Sequence, residues 1–135
     1  MTVTANSIIT PQTPRAFNGA LTTANTTYTT TPSNPNPIFT AGANGSRVTR
    51  IGGIPQGTVS ACQLQLFRSR DGGTTKFFFN SALMGAYTMA TNTSPPVTDF
   101  GYSDDNPLIL AANEIIYACI SVTQNVMLNV EGADY

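Results

Sequence analysis

The sequence predicts an all-β protein, an antiparallel β-sandwich preceded by an extended N-terminal arm. Downstream of Ile38 apolar residues recur mostly at every second position, which is the period of a strand with one buried face. Clusters of Gly, Pro, Asn and Asp interrupt this pattern at short intervals and predict turns. The first 46 residues contain one charged residue, Arg15, and are rich in Thr, Asn and Pro. We therefore expect an arm over residues 1–37 and a sandwich domain over residues 38–135.

The arm is expected to be extended because its composition disfavours a helix. The stretch 22–31 is dominated by Thr, whose branched side chain has a stiff χ1 angle, and three prolines follow between Pro32 and Pro37. Two interpretations stay open: the arm docks on a neighbouring subunit, or it is a disordered tail or an edge strand of its own domain. In the docking interpretation the partner-binding anchors are the spaced apolar residues Ile8, Ile9, Phe17, Leu21 and Tyr28.

The domain is expected to contain short strands joined by turns. Asn44-Gly45 and Gln124-Asn125 predict hairpins, and the run from Arg70 to Gly73 predicts another turn. One turn of helix is possible over 81–85. Strands of this number and spacing are typical of a sandwich or barrel. The predicted strands are 38–41, 47–51, 61–68, 76–79, 86–90, 98–102, 108–110, 115–122 and 126–130.

Composition excludes several function classes. Only 10% of the 135 residues are charged, the net charge is −1, and the six cations form no basic run that could bind nucleic acid. No stretch approaches the roughly 20 apolar residues of a membrane span, and residues 1–14 lack the pattern of a signal peptide. We therefore expect folding in a cytoplasm. Cys62 and Cys119 are expected there as reduced, buried thiols, although a disulfide between neighbouring strands stays open.

The residues that usually carry catalysis are scarce. The chain has no His, the commonest general base and metal ligand, and both cysteines lie in apolar patterns that raise a thiol pKa. The acidic cluster of Asp99, Asp104 and Asp105 matches no EF-hand loop, and we interpret it as a solvated turn. The sequence therefore predicts no enzyme, no cofactor and no metal site.

Two further groups have a functional and a structural interpretation. Arg68, Arg70 and Asp71 lie at a predicted hairpin tip, where we favour a solubilising loop over a partner contact. Aromatic residues could form an exposed platform for a sugar, but the strand pattern around them favours packing in the core; they are Phe77, Phe78, Phe79, Tyr87, Phe100, Tyr102 and Tyr117.

The run NPLILAANEIIYA at 106–118 resembles the end of many jelly-roll domains, where a short apolar strand, a turn of small residues and a long apolar strand follow one another. With the Thr/Asn/Pro-rich arm and the low charge, the whole chain resembles the small jelly-roll virion proteins of tailed bacteriophages, especially the capsid cement or decoration proteins. This resemblance transfers an architecture and a role but no individual functional residues.

The resemblance implies a structural protein of the virion, located on the capsid surface after assembly in the host cytoplasm. Such a protein binds between subunits of the major capsid protein, or to another virion protein, and stabilises the phage head. It is expected to be a homo-oligomer, a dimer or trimer. The alternatives are a phage tail or neck adaptor, or a receptor- or carbohydrate-binding β-sandwich module.

Overall fold

The structure is a computed structural model that describes residues 10–135, and these residues form nine strands and no helix. Every pairing between the strands is antiparallel. The predicted all-β antiparallel sandwich is therefore confirmed. The strands are β1 (Thr13–Leu21), β2 (Asn36–Thr40), β3 (Ser46–Pro55), β4 (Cys62–Ser69), β5 (Phe77–Met84), β6 (Thr98–Asp99), β7 (Leu108–Leu110), β8 (Ile115–Ile120) and β9 (Val126–Asp134).

The strands form two sheets that pack face to face. The first sheet has the order β1-β9-β3-β6, with β7 also paired to β3, and the second has the order β2-β8-β4-β5. Most connections carry the chain from one sheet to the other, whereas β4 and β5 form a hairpin within the second sheet. The core therefore joins segments that are distant in sequence.

The core consists of the inward side chains of both sheets. The sheets come close at Gly53: a Cβ built there would lie 2.6 Å from Cδ1 of Leu64 on the facing sheet, so the Leu64 side chain would have to move. Close approach of this kind favours a glycine in a strand interior. The largest fully buried side chains include Phe39, Ile51, Leu64, Leu66, Ile116 and Leu128.

Two predicted hairpins are wrong. The turn at Asn44-Gly45 joins β2 to β3, and the turn at Gln124-Asn125 joins β8 to β9, but in both cases the two strands belong to different sheets. Gly45 does have the left-handed backbone that the turn signal predicts, with φ of 87°. The turn residues are thus interpreted correctly, while the partner of each strand is set by burial of its apolar face and not by the adjacent turn.

Three other elements differ from expectation. The helical turn that was possible over 81–85 is absent, because β5 continues to Met84 and pairs with β4 as far as Cys62. β3 continues beyond the predicted end at 51 and through the Gly52-Gly53 pair, because both glycines pair with β9. The segment 86–90 forms only an isolated bridge from Tyr87 to Val59. In the first two cases tertiary pairing overrides the local preference, whereas 86–90 has a strand pattern but only this one bridge.

Part of the expected arm belongs to the sandwich. β1 pairs with β9 along its whole length, and its last residue, Leu21, is fully buried. Within 13–21 the structure therefore corresponds to the edge-strand interpretation, and the sandwich includes residues that were assigned to an arm ending at 37. The physical reason is the alternation of Phe17, Gly19 and Leu21, which presents one face to the core beside β9. The predicted anchors Ile8 and Ile9 lie outside the described residues.

Residues 22–35 form what we call the strap, a segment that crosses the outer face of the second sheet. The amide of Asn25 donates to the carbonyl of Ile120 at 2.7 Å, and the carbonyl of Thr30 accepts from the amide of Lys76 at 2.9 Å. The strap thus connects β8, inside the sheet, with the start of β5 at its edge.

Candidate partner-binding surface

A buried polar network fixes the strap to the sheet. The Asn25 side chain is completely buried, and its Nδ2 donates to the Thr27 carbonyl at 2.7 Å and to Oε1 of Gln65 at 2.8 Å. Its Oδ1 accepts from the Ser33 amide at 2.9 Å. Gln65, which points outward from β4, is also buried and donates to Oε1 of Gln63 at 3.1 Å. Because buried amides are costly without partners, this network determines where the strap lies.

An exposed apolar surface lies where the strap meets β5. The Tyr28 side chain is 55% exposed, its ring centroid lies 4.6 Å from that of Phe78, and its hydroxyl donates to Oε1 of Gln63 at 2.5 Å. Leu83, opposite Gln63 on the same outer face, is 84% exposed. Phe77, next along β5, is 55% exposed and pairs with Arg68, so it lies on the other face of this edge strand. We call Tyr28, Phe77, Phe78 and Leu83 the β5 surface.

The β5 surface lies within two uncharged stretches of the chain. No charged residue occurs over 16–46 or over 77–98. The neighbouring cation, Lys76, bonds to the Gly73 carbonyl, and its Nζ lies 4.8 Å from the ring centroid of Tyr117. A partner would therefore meet mainly aromatic, aliphatic and neutral polar side chains, with Arg68 and Lys76 at the end of β5 beside Phe77.

Charged residues instead hold the fold together at the end of the β4–β5 hairpin. Glu114 is fully buried; its Oε1 accepts from Nε of Arg68 and lies 3.5 Å from Nε of Arg70. Its Oε2 accepts from the amide of Ala111 at 2.8 Å. Burial by itself raises the pKa of Glu114, but the bonds from Arg68 and Ala111 and the two guanidinium charges outweigh it and lower that pKa.

Asp71 organises the hairpin loop itself. Its carboxylate accepts from the Thr75 amide at 2.9 Å and from the Ser69 hydroxyl at 2.8 Å. These bonds, those from Thr75 foremost, lower the pKa of Asp71 to about 2. The three residues predicted at this tip thus have contacts within the domain: Arg68 and Arg70 with Glu114, and Asp71 with its own loop.

A second charged cluster joins β1, β9 and β3, which are neighbouring strands of the first sheet. Arg15 on β1 forms an ion pair with Asp134 on β9, and Ser46 donates to the same carboxylate. The Arg15 guanidinium also lies 4.8 Å from the ring centroid of Phe17, which packs at 5.1 Å against Phe39. This cluster ties β1 to the domain.

The described members of the predicted anchor set have three different environments. Leu21 is buried in the core, Phe17 is half-buried against Phe39, and Tyr28 is exposed on the β5 surface. Sequence reasoning missed Phe77 and Phe78 as exposed residues, since their strand pattern favoured the core. The available signal was the stretch from 77 to 98, which contains several large apolar residues and no charge.

The two cysteines are free and buried, as expected. Cys62 lies in the core, whereas Cys119 pairs with the outward-facing Gln65 and lies outside the core cluster, on the opposite face of the second sheet. Side chains on opposite faces of a sheet cannot form a disulfide without backbone movement. Burial raises the pKa of both thiols, that of Cys119 to about 12.

Metal-binding and membrane-spanning features were searched over residues 10–135. Within that range no three side chains of His, Cys, Asp or Glu are grouped so that they could hold a metal ion. In the cluster expected to be a solvated turn, Asp99 is exposed and its Oδ1 accepts from the Gly101 amide at 2.7 Å. The same residues include no helix that is long and apolar enough to cross a membrane.

Comparison with family models, with curated proteins and with solved structures finds no match for this chain. Its function is therefore argued from its own residues. The feature with the clearest chemistry is the β5 surface, where large apolar side chains face solvent on a strand that carries no charge.

Proposed function

We propose that this chain is a non-enzymatic structural protein that attaches to other protein surfaces. The observation that carries the proposal is the β5 surface, on which Tyr28, Phe77 and Leu83 are each more than half exposed. Tyr28 is in contact with Phe78, and clustered exposed apolar side chains are typical of protein interaction sites. Aromatic side chains that enter pockets of a partner also tend to dominate binding energy.

The more specific proposal is a capsid cement or decoration protein of a tailed bacteriophage. The strand orders β1-β9-β3-β6 and β2-β8-β4-β5, with most connections crossing between the sheets, support a jelly-roll architecture. The resemblance to small virion proteins supplies the role. In this role the chain binds between subunits of the major capsid protein on the capsid surface, and its binding free energy stabilises the assembled head.

Tyr28 is the expected anchor of this attachment. It is the described member of the predicted anchor set that combines a large aromatic side chain with high exposure. Its contact with Phe78 and its bond to Gln63 hold the ring in one place before binding, so little side-chain entropy is lost when a partner covers it.

Co-sedimentation with capsids assembled without this chain tests the proposal. Wild-type protein should sediment with them, and Tyr28→Ala should weaken binding at least about fivefold. Ile109→Ala is the matched control, because Ile109 is 54% exposed on β7, outside the β5 surface, and should bind like the wild type. Absence of wild-type binding would contradict the cement role; equal binding by Tyr28→Ala would contradict the assignment of the anchor.

The exposed aromatic rings also favour one alternative, a receptor- or carbohydrate-binding module. Sugars stack on exposed aromatic faces, and Tyr28, Phe77 and Phe78 are all accessible. Glycan-array binding that is lost in Tyr28→Ala, together with no binding to capsids, would support this alternative. The tail or neck adaptor differs in location, and the copy number per purified particle would identify it.

A further inference from the structure

The ends of the two sheets differ in how they are protected against pairing with another chain. An exposed edge strand offers free backbone groups, and proteins commonly block it with Pro, with charge or with short length. β1 carries Pro14 and Arg15, and β2 carries Pro37. β6 and β7 are only two and three residues long.

β5 lacks these protections. It has eight residues, FFFNSALM, with neither a proline nor a charge, and it is the last strand of its sheet. Within the described part of the chain, β4 is the strand that pairs with it. Two local features act against pairing: Phe79 forms a bulge and is left without a partner where the register shifts, and the Ser81 amide donates to Oδ1 of Asn80 at 2.8 Å. The rest of the edge lacks proline and charge, and apolar side chains flank it.

We propose that a second copy of this chain pairs with β5, edge to edge and antiparallel, around a two-fold axis. The inference deepens the proposed function by naming the first partner of the β5 surface. Charge is compatible with this occupant: the 22 residues from 77 to 98 contain no charge, and the nearest cations, Lys76 and Arg68, lie at one end of β5, so two antiparallel copies meet without like charges facing each other along the strand. Two-fold pairing also stops at a dimer, because both β5 edges are then paired and neither can bind a further copy.

The side chains on the outer face suit this symmetry. Phe78 pairs with Phe67 and Leu83 pairs with Gln63, so both lie on the outer face, towards opposite ends of β5. An axis through the middle of the strand brings Phe78 of each copy near Leu83 of the other. Tyr28, stacked on Phe78, would extend this contact beyond the strand itself. The dimer would join the two second sheets into one continuous eight-stranded sheet.

Sedimentation equilibrium of the full chain, without any capsid, tests this inference separately from the proposed function. The wild type should have twice the 14.3 kDa mass of one chain at micromolar concentrations. Leu83→Lys should raise the dimer dissociation constant at least about tenfold, because edge lysines oppose pairing. Ile109→Lys is the matched control, an equally drastic change at another exposed aliphatic residue, and should leave the dimer intact.

Circular dichroism should give the same β spectrum for all three proteins, since Leu83 and Ile109 are both exposed. A wild type that stays monomeric at about 100 µM would overturn the inference, even if it binds capsids. A dimer unaffected by Leu83→Lys would also overturn it, because the contact would then lie elsewhere. A dimer that binds no capsid would leave the inference standing and contradict the cement role.

Discussion

The two long edge strands of the sandwich, β1 and β5, show opposite uses of side-chain chemistry. β1 carries Arg15, whose ion pair with Asp134 and contact with Phe17 bind this edge to its own domain. β5 carries no charge and presents Phe77, Phe78 and Leu83 to solvent. Of the six cations in the chain, Arg15, Arg50, Arg68 and Arg70 all form ion pairs within the domain. Charge thus mainly holds the fold together, while a neutral apolar surface is left for partners.

The largest expected effect on stability comes from deleting β1 together with the strap. Deletion of residues 1–36 removes β1, the buried Leu21 and the strap, so the rest should lose cooperative folding. Thermal unfolding followed by circular dichroism measures this. A truncated protein with the melting temperature of the full chain would show that these residues are a dispensable tail, contrary to the structure.

A smaller loss is expected when the buried carboxylate is neutralised. Glu114→Gln should lower the free energy of unfolding at neutral pH by about 3 kcal/mol, because Arg68 and Arg70 lose their counter-charge. Asp105→Asn, at an exposed position, is the control and should change little. Urea unfolding of the three proteins checks this. An effect no larger than that of the control would show that the ion pairs of Glu114 contribute nothing to stability.

The same pair predicts a pH dependence of stability. The folded-state pKa of Glu114 lies below its ordinary value. The ionised carboxylate therefore contributes fully to the free energy of unfolding above the ordinary pKa of about 4.3, and this contribution is lost as the pH falls through the folded-state pKa. The difference in the free energy of unfolding between wild type and Glu114→Gln should therefore disappear in acid. Urea unfolding in steps from neutral to acidic pH measures it; a gap that widens in acid would contradict the sign of the pKa shift.

Loosening the strap should have a still smaller effect on stability but a specific effect on one thiol. Asn25→Ala leaves Gln65 without its buried partner and should cost about 2 kcal/mol. Thr26→Ala, at an exposed position of the strap, is the control. Because Cys119 shares the outer face with Gln65, its labelling by a thiol reagent should accelerate more than that of Cys62. Equal acceleration at both thiols would indicate global unfolding instead.

The sequence predicts the fold class because alternation of apolar residues is a local signal. Leu108–Leu110 is recovered exactly, and strands near 62–69 and 115–120 are found within a few residues. Strand partners are not predicted, because Asn44-Gly45 specifies a turn whether the next strand pairs beside it or crosses to the other sheet. The helical preference over 81–85 is likewise overridden by pairing with β4.

The candidate surface is only partly predictable for a related reason. Tyr28 is identified as an anchor because a lone aromatic residue in a polar stretch suggests a contact, and the structure leaves it exposed. Leu21 and Phe17 give the same local signal but face the core of their own domain. Whether an apolar residue near an edge is covered depends on which segments pass over it. That is a long-range property of the sandwich, which local pattern does not contain.

The central claim, that charges serve the fold while a neutral surface serves attachment, is tested most directly by the salt dependence of binding. The dissociation constant for capsids should be measured at low and at physiological ionic strength, with wild type and Tyr28→Ala. We predict a change of less than about threefold with salt, and the same change for both proteins, because few charges are available to be screened. A loss of affinity of about tenfold or more at physiological salt would show that a charged interface carries the binding and would contradict the account.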